Sequence, residues 1–138
     1  MTSSSIVRLA AVSLDCADPQ RLADFYLALL RGRQLWATES SAGLEVSGVV
    51  LVMQLVEGYA PPVWPGSAIV HLDLTADDID AAAERAVTLG ATCPEQPDPR
   101  WRVLLDPAGH PFCLTPVTPE MSSLTRATGS GEAVGDAG

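Results

Sequence analysis

Apolar and polar positions along the chain follow two periodicities, and their order in the first half predicts a β-α-β-β-β unit. Residues 6–16 are apolar with breaks and predict a strand. Apolar side chains at helical spacing follow over 22–30 and form one face of a predicted helix. Strand-like segments come next at 34–37, 43–46 and 49–56, and the last of them is rich in β-branched residues.

The second half repeats this order after a connector at 57–66, which contains two proline-based breaks. The pattern predicts a strand at 67–75, a helix over 79–89, a short strand at 91–93 and strands at 100–105 and 112–117. A shift of about sixty residues, which is typical of a duplicated supersecondary unit, aligns Asp18 with Asp78 and Ala11 with His71. We therefore predict one structural unit that is written twice.

Polar residues and glycines predict where the helices and the last hairpin begin and end. Asp18 before Pro19 predicts the start of the first helix, and Gly32 predicts its end. The sequence TADD at 75–78 resembles a capping box headed by Thr75. The sequence DPAG at 106–109 predicts a tight turn, because proline sets the first bend and glycine permits a positive φ.

Two such units with a hairpin in each predict an α+β fold with mixed sheets and one helix per module. We place the modules at 6–57 and 67–117 of a single domain that covers 6–117. Residues 1–5 and 118–138 are predicted to be flexible ends, because Ser, Thr, Gly and Ala dominate the second of them and aromatic residues are missing there.

Charge and hydropathy exclude several function classes for this chain of 138 residues. A net charge of −9 would repel a phosphate backbone, so no nucleic-acid partner is expected. No apolar run approaches the ~20 residues that cross a bilayer, and the N-terminus lacks the features of a secretory signal. We therefore expect a cytoplasmic protein with no membrane partner. The three widely spaced cysteines form no CxxC motif and predict free thiols.

Five short motifs in this order resemble the vicinal oxygen chelate superfamily, which includes glyoxalase I, bleomycin-resistance proteins and extradiol dioxygenases. The motifs are LDCADP at 14–19, LADFY at 22–26, VHLDL at 70–74, LGA at 89–91 and LDPAGHPF at 105–112. The resemblance is strongest to its glyoxalase-like subgroup. It implies two βαβββ modules that form an open, curved mixed sheet around a cavity, with the helices outside.

The resemblance also implies four positions from which metal-dependent relatives supply ligands, namely one in the first and one in the last strand of each module. In this chain those positions fall at Ala11, near Gln54, at His71 and at Cys113. Ala11 has no ligand atom, Gln54 offers only a neutral carbonyl, and two donors fall short of the three that a catalytic zinc site needs. We therefore expect no metal and no other cofactor.

His71 is the candidate catalytic residue, because an imidazole titrates near neutral pH and serves as a general base. The alternative is a histidine that lines the pocket and only forms hydrogen bonds. Cys113 is either a nucleophile with a lowered pKa or a small buried apolar residue. Gln54 is predicted to be a buried polar group that needs a partner, and this favours a pocket role.

Other candidate pocket residues are acidic or aromatic. Asp15 and Asp73 alternate with apolar neighbours, so each lines the cavity or faces solvent. Trp64 and Trp101, with Trp36 in the first module, either form the walls of a small-molecule pocket or fill the sheet ends or a dimer interface.

We predict a metal-independent protein that binds a small organic molecule in the cavity, with sequestration of a metabolite or antibiotic as one form of it. The alternatives are a lyase or isomerase of the glyoxalase superfamily that uses His71, and a structural module with a collapsed pocket. Because members of the family often pair through their sheet edges, we also expect a homodimer.

Overall fold

A computed structural model describes residues 8–66, 70–94 and 102–116, and the chain divides into two compact units, Met1–Ala60 and Pro61–Gly138. The first unit contains β1 (Val12–Cys16), α1 (Pro19–Leu30), β2 (Arg33–Ala37), β3 (Ser41–Val46) and β4 (Val49–Leu55). The second unit contains β5 (Leu72–Thr75), α2 (Ile79–Leu89), β6 (Arg102–Leu105) and β7 (Pro111–Thr115). The predicted flexible ends lie outside the described residues.

Each unit contains an open mixed sheet with one parallel pair of strands at its start. The strand order is β1-β4-β3-β2 in the first unit and β5-β7-β6 in the second. β1 is parallel to β4 and β5 is parallel to β7, whereas the other neighbours are antiparallel. The predicted α+β fold with mixed sheets and one helix per module is therefore confirmed.

The structure differs from the predicted strands at the start of each unit. The strand predicted over 6–16 is paired only from Val12, so Ala11 immediately precedes β1. The short strand predicted at 91–93 is a single bridge between Thr92 and Leu105. The strand predicted over 67–75 is ladder-paired only from Leu72, so His71 immediately precedes β5 instead of lying within it. Residues 67–69 of this predicted strand lie outside the described part of the chain.

Both helices begin at an aspartate that caps a free backbone N–H group. The Asp18 carboxylate accepts a hydrogen bond from the backbone N–H of Arg21 at 3.1 Å, and Asp78 does the same for Ala81 at 3.0 Å. The predicted capping box headed by Thr75 is wrong, because the cap is Asp78 and the helix begins only at Ile79. The shared capping position supports the predicted duplication, since the two aspartates were the pair that the sixty-residue shift aligns.

The first helix ends one residue earlier than its glycine predicts. Arg31, with φ 56° and ψ 47°, adopts the left-handed conformation of the C-cap, and its N–H donates to the carbonyl oxygen of Leu27 at 2.8 Å. Gly32 is the residue after the C-cap, and a Cβ at this position would clash with Glu45 and Val46. Gly32 is therefore needed for close packing against β3, and in the second unit Gly90 occupies the C-cap as predicted.

The core of the first unit lies on one face of its sheet, where the alternating side chains of the strands are buried. The buried apolar residues of this core come from β1, β3, β4 and α1. They are Cys16, Leu22, Ala23, Phe25, Tyr26, Ala42, Leu44, Val46, Leu51 and Met53. The second unit is built in the same way, with Leu104, Phe112 and Leu114 buried on the sheet and Ala83 and Ala86 buried on α2. Full burial of one such large side chain contributes about 1.5–3 kcal/mol.

The hairpin between β6 and β7 is closed by the predicted DPAG turn. The buried carboxylate of Asp106 accepts hydrogen bonds from the backbone N–H groups of Ala108 at 2.9 Å and His110 at 3.0 Å. Gly109 has φ +88°, which glycine adopts without steric cost. This turn aligns β6 with β7 and so determines which side chain of β6 faces Cys113.

Candidate functional site

The second sheet has one buried and one accessible side, and the candidate site lies on the accessible one. Phe112 and Leu114 of β7 are buried, whereas the intervening Cys113 is half-buried. On β5, Asp73 and Thr75 are exposed. Because side chains alternate along a strand, these residues share the side of the sheet that is turned away from the buried core. We refer to this side as the open face of the second unit.

Strand register brings together three polar side chains that are far apart in sequence. The parallel pairing of β5 and β7 places Asp73 opposite Cys113, and His71 lies two residues before Asp73 on the same face. His71 Nδ1 lies 3.1 Å from Oδ1 of Asp73 and 3.7 Å from Sγ of Cys113. We call this group, formed by His71, Asp73 and Cys113, the polar trio.

Within the polar trio, the contact with Asp73 orients the imidazole of His71. When Nδ1 carries a ring proton, it donates a hydrogen bond to the carboxylate at 3.1 Å, and Nε2 is then the nitrogen that is available to a ligand. Nε2 of His71 has no partner among residues 8–66, 70–94 and 102–116. This side chain is 40% exposed, so its basic nitrogen is accessible to a bound molecule.

The environment of Cys113 favours the thiol over the thiolate. Partial burial raises the pKa of Cys113 above its ordinary value, because burial disfavours the charged form. The negative charge of Asp73 and the hydrogen bond that its carboxylate accepts from the thiol raise the pKa further. Burial and the neighbouring carboxylate therefore work against a nucleophilic role for Cys113, which would need a lowered pKa.

The polar trio also changes the number of metal donors in this unit. One ligand atom from each of His71, Asp73 and Cys113 lies within 4.8 Å of the other two. The resemblance by itself indicates only His71 and Cys113 as donors in this unit, because it does not single out Asp73. Catalytic zinc sites have three protein ligands, and imidazole, carboxylate and thiolate groups all bind zinc, so these residues fit a divalent metal ion.

Gln54 and Asp15 belong to the first unit, where they are register partners on β4 and β1. Both are exposed, so the prediction of a buried Gln54 amide was wrong. The backbone carbonyl oxygen of Gln54 accepts a hydrogen bond from the Cys16 thiol at 3.6 Å. Asp15 and Gln54 therefore form an adjacent polar pair on the side of the first sheet opposite its buried core.

Register also corrects the position that Gln54 has in the repeat. β1 pairs Ser13 with Val52, whereas β5 pairs Asp73 with Cys113. Ser13 and Asp73 are related by the sixty-residue shift, so Val52 is the counterpart of Cys113 in the first unit. Gln54 instead corresponds to Thr115, two residues further along the strand.

The tryptophans differ in what the structure shows of them. Trp64 is half-buried in the connector before β5, and Trp101 lies outside the described residues. Trp36 is 39% exposed, and its ring lies across Gly43, where a Cβ would clash with three ring carbons. Its indole Nε1–H donates to Oγ of Ser41 at 2.9 Å.

Sequence comparison shows the family of the protein. Residues 11–115 match the family described as Glyoxalase-like domain. The chain belongs to this glyoxalase-like family. The match includes all three residues of the polar trio, and it confirms the resemblance to the vicinal oxygen chelate superfamily. No curated protein matches the sequence.

Solved structures of low sequence identity share the fold of this glyoxalase-like protein. A variant of the fosfomycin resistance protein FosX from Listeria monocytogenes, complexed with Mn(II) and 1S,2S-dihydroxypropylphosphonic acid, is 18% identical with a TM-score of 0.64. The similarity covers 84% of this chain and 94% of that one. A glyoxalase/bleomycin resistance protein/dioxygenase family enzyme from Burkholderia phytofirmans PsJN is 18% identical, with a TM-score of 0.64 and coverage of 79% and 98%.

A third neighbour is the fosfomycin resistance protein FosX from Mesorhizobium loti, which is 16% identical with a TM-score of 0.62. The similarity covers 86% of this chain and 98% of that one.

Neither helix of the described structure has the length and apolar character that a membrane-spanning helix requires.

Proposed function

We propose that this glyoxalase-like protein binds a small organic molecule and that the polar trio holds a polar group of that molecule. The observation that supports this most directly is the orientation of His71, whose Nδ1 lies 3.1 Å from the Asp73 carboxylate. A histidine held in this way presents Nε2 at a fixed position as a hydrogen-bond acceptor. Small-molecule sites combine a few such oriented polar groups with apolar walls.

In this proposal the ion-free side chains are sufficient for recognition. Nδ1 of His71 lies 3.1 Å from the Asp73 carboxylate and 3.7 Å from the Cys113 sulfur, so the three side chains hold one another in place through their own contacts. The FosX variant from Listeria monocytogenes was solved with a small phosphonic acid and Mn(II). Such a ligand illustrates the size of molecule that we expect here, whereas its metal dependence is not part of our proposal.

A lyase or isomerase reaction is the second candidate, and the His71–Asp73 contact favours it specifically. As general base, Nε2 of His71 would take a proton from a carbon or oxygen of the substrate. The Asp73 carboxylate would stabilise the resulting imidazolium through Nδ1–H, and such general-base assistance contributes typically about 10²–10⁴-fold in rate. Cys113 as a thiol would act as a hydrogen-bond donor and not as the nucleophile.

A thermal-shift screen of metabolites and antibiotics in the presence of EDTA tests the binding proposal. His71→Ala is expected to abolish the stabilisation by any hit, whereas His110→Ala is the matched control, since it removes the other histidine. Retention of binding in His71→Ala would rule out the trio as the binding site. If a hit is also turned over, loss of kcat in Asp73→Asn with little change in KM would favour the enzyme.

We also propose that the protein is a cytoplasmic homodimer. All five residues of β2 are exposed, and this strand forms an edge of the sheet in the first unit. An edge strand carries backbone N–H and C=O groups that are able to pair with a second copy. Light scattering of the purified protein measures the assembly directly, and a monomer mass at micromolar concentration would contradict the dimer.

A further inference from the structure

We infer that the polar trio is a binding site for a soft divalent cation of the zinc class, complete within the second unit. The ligands are an imidazole nitrogen of His71, a carboxylate oxygen of Asp73 and the sulfur of Cys113. The inference goes beyond the proposed function and does not depend on it. It also departs from the arrangement that the family resemblance implies, in which the ligands are divided between the two modules.

The distances within the polar trio match those between ligands of one tetrahedral zinc ion. Zinc lies about 2.0–2.1 Å from nitrogen and about 2.3 Å from sulfur, so tetrahedral angles separate the nitrogen and sulfur ligands by about 3.6 Å. The same geometry separates nitrogen and oxygen ligands by about 3.3 Å. In the chain, the corresponding separations from His71 Nδ1 are 3.7 Å to Cys113 and 3.1 Å to Asp73.

These three atoms are held together by backbone pairing, so only modest side-chain movement is needed. Asp73 and Cys113 are register partners in the parallel pair of β5 and β7. The hairpin of β7 with β6 is in turn closed by the Asp106 turn. A pre-organised site loses less conformational entropy on binding than one that must be assembled.

The types of donor determine which cation the site prefers. Thiolate and imidazole are ligands that favour zinc, whereas Mg²⁺, Ca²⁺ and Mn²⁺ favour sites made of oxygen. Asp73 supplies a second negative charge beside the Cys113 thiolate and the third protein ligand that the His71–Cys113 pair lacks. Three protein ligands leave one tetrahedral position for water or another small ligand, as in catalytic zinc sites.

Exposure of the trio gives a cation a route from solvent. The side chains of His71 and Asp73 are 40% and 52% exposed, and the side chain of Cys113 on β7 is half-buried. Two further side chains of the open face, Val103 of β6 and Thr115 of β7, flank Cys113 through the strand register and the pleat. The hydroxyl oxygen of Thr115 is buried and has no hydrogen-bond partner in the described part of the chain.

Cobalt titration of the full-length, EDTA-treated and reduced protein tests the inference. Co²⁺ replaces zinc in such sites, and a cobalt–thiolate bond adds a charge-transfer band in the near ultraviolet. We expect one equivalent of Co²⁺ per chain with this band, and its displacement by one equivalent of Zn²⁺ but not by Mg²⁺. Cys113→Ser should abolish the band, whereas Cys93→Ser, which removes an exposed thiol, should retain it.

Asp73→Asn separates this inference from a site that uses only His71 and Cys113. We expect the variant to keep the cobalt–thiolate band and to lose at least about tenfold in Zn²⁺ affinity, measured by competition with a chromophoric chelator. Asp77→Asn is the control, because Asp77 is an exposed carboxylate four residues away. Circular dichroism of each variant checks that the fold is retained.

Several results would overturn the inference. The inference is contradicted if the wild-type protein shows no cobalt–thiolate band or if the band survives in Cys113→Ser. It is also contradicted if Cys93→Ser loses the band to the same extent as Cys113→Ser. Unchanged affinity in folded Asp73→Asn would exclude Asp73 as a ligand. The cobalt titration contains no organic ligand, and the thermal-shift screen contains no free divalent cation. The two tests are therefore independent, and either proposal can fail while the other stands.

Discussion

Asp73 of β5 lies opposite Cys113 of β7 in a parallel register, although forty residues separate them in the sequence. This pairing, together with His71 two positions earlier, converts three scattered residues into one polar trio. Each member affects the others, since the Asp73 carboxylate contacts His71 Nδ1 and raises the pKa of the Cys113 thiol. The chemistry of the second unit therefore depends on strand pairing as much as on residue type.

The two aspartate caps should contribute similarly to stability. Asp18→Ala and Asp78→Ala each remove the acceptor of one backbone N–H at a helix start, and each is expected to lower the free energy of unfolding by about 1 kcal/mol. Chemical denaturation with urea measures the change. Asp77→Ala, beside the second cap, should change the stability by less than about 0.5 kcal/mol, and an equal loss there would contradict capping by Asp78.

Gly109 and Gly58 form a matched pair that separates backbone strain from a steric clash. Both have a positive φ, +88° and +73°, but a Cβ at Gly109 would lie 2.7 Å from Cβ of Pro61, whereas nothing lies near one at Gly58. Gly58→Ala should lower the free energy of unfolding by about 1 kcal/mol. Gly109→Ala should lower it by about 1–3 kcal/mol more, as overpacking does.

Thermal or urea denaturation of the two glycine variants measures this difference. Pro61→Gly in the Gly109→Ala background removes the clashing Cβ and should restore part of the loss. Equal stabilities for the two single variants would show that the contact with Pro61 has no energetic effect.

The surface formed by Trp36 depends on the missing side chain of Gly43. Gly43→Ala places a methyl group where the indole ring lies, so the ring must move away from Ser41. We expect a loss of about 1–3 kcal/mol in the free energy of unfolding and a red shift in tryptophan emission. Ser41→Ala, which removes only the exposed hydrogen bond to the indole N–H, should cost less, and the Gly43→Ala emission shift should vanish when Trp36 is replaced by Phe.

The three cysteines should react with an alkylating reagent in the order of their accessibility. Cys93 is exposed and should be modified first, whereas Cys16 is 1% exposed and should be modified only when the protein unfolds. Cys113 is half-buried and should react at an intermediate rate. Peptide mass spectrometry over a time course gives the order, and modification of Cys16 before unfolding would contradict the described core.

Local patterns were enough to predict much of the fold. The aspartate caps, the apolar faces of both helices, the Asp106 turn and the sixty-residue repeat are all visible within short windows of sequence. The errors lay at the ends of elements, and the largest were the predicted first strands of the two units, which are paired only from Val12 and from Leu72. Arg31 replaces Gly32 at the C-cap because Gly32 is needed for packing against Glu45 and Val46, a contact that no local pattern reveals.

The candidate site was predictable only in part, for the same physical reason. His71 and Cys113 were singled out by resemblance and Asp73 by its alternation with apolar neighbours, but their association depends on the alignment of β5 with β7. Gln54 was misjudged because an apolar strand in sequence was taken as buried on both sides, whereas its sheet has one open face.

The sequence by itself thus determined the elements, their order and their duplication, since turn chemistry, caps and periodicity act over a few residues. The tertiary structure decided which side chains meet and which are buried. A ladder of backbone hydrogen bonds between distant strands sets register to the single residue, and a shift of one residue would turn Cys113 to the other face. For this protein, the polar trio is a consequence of that register.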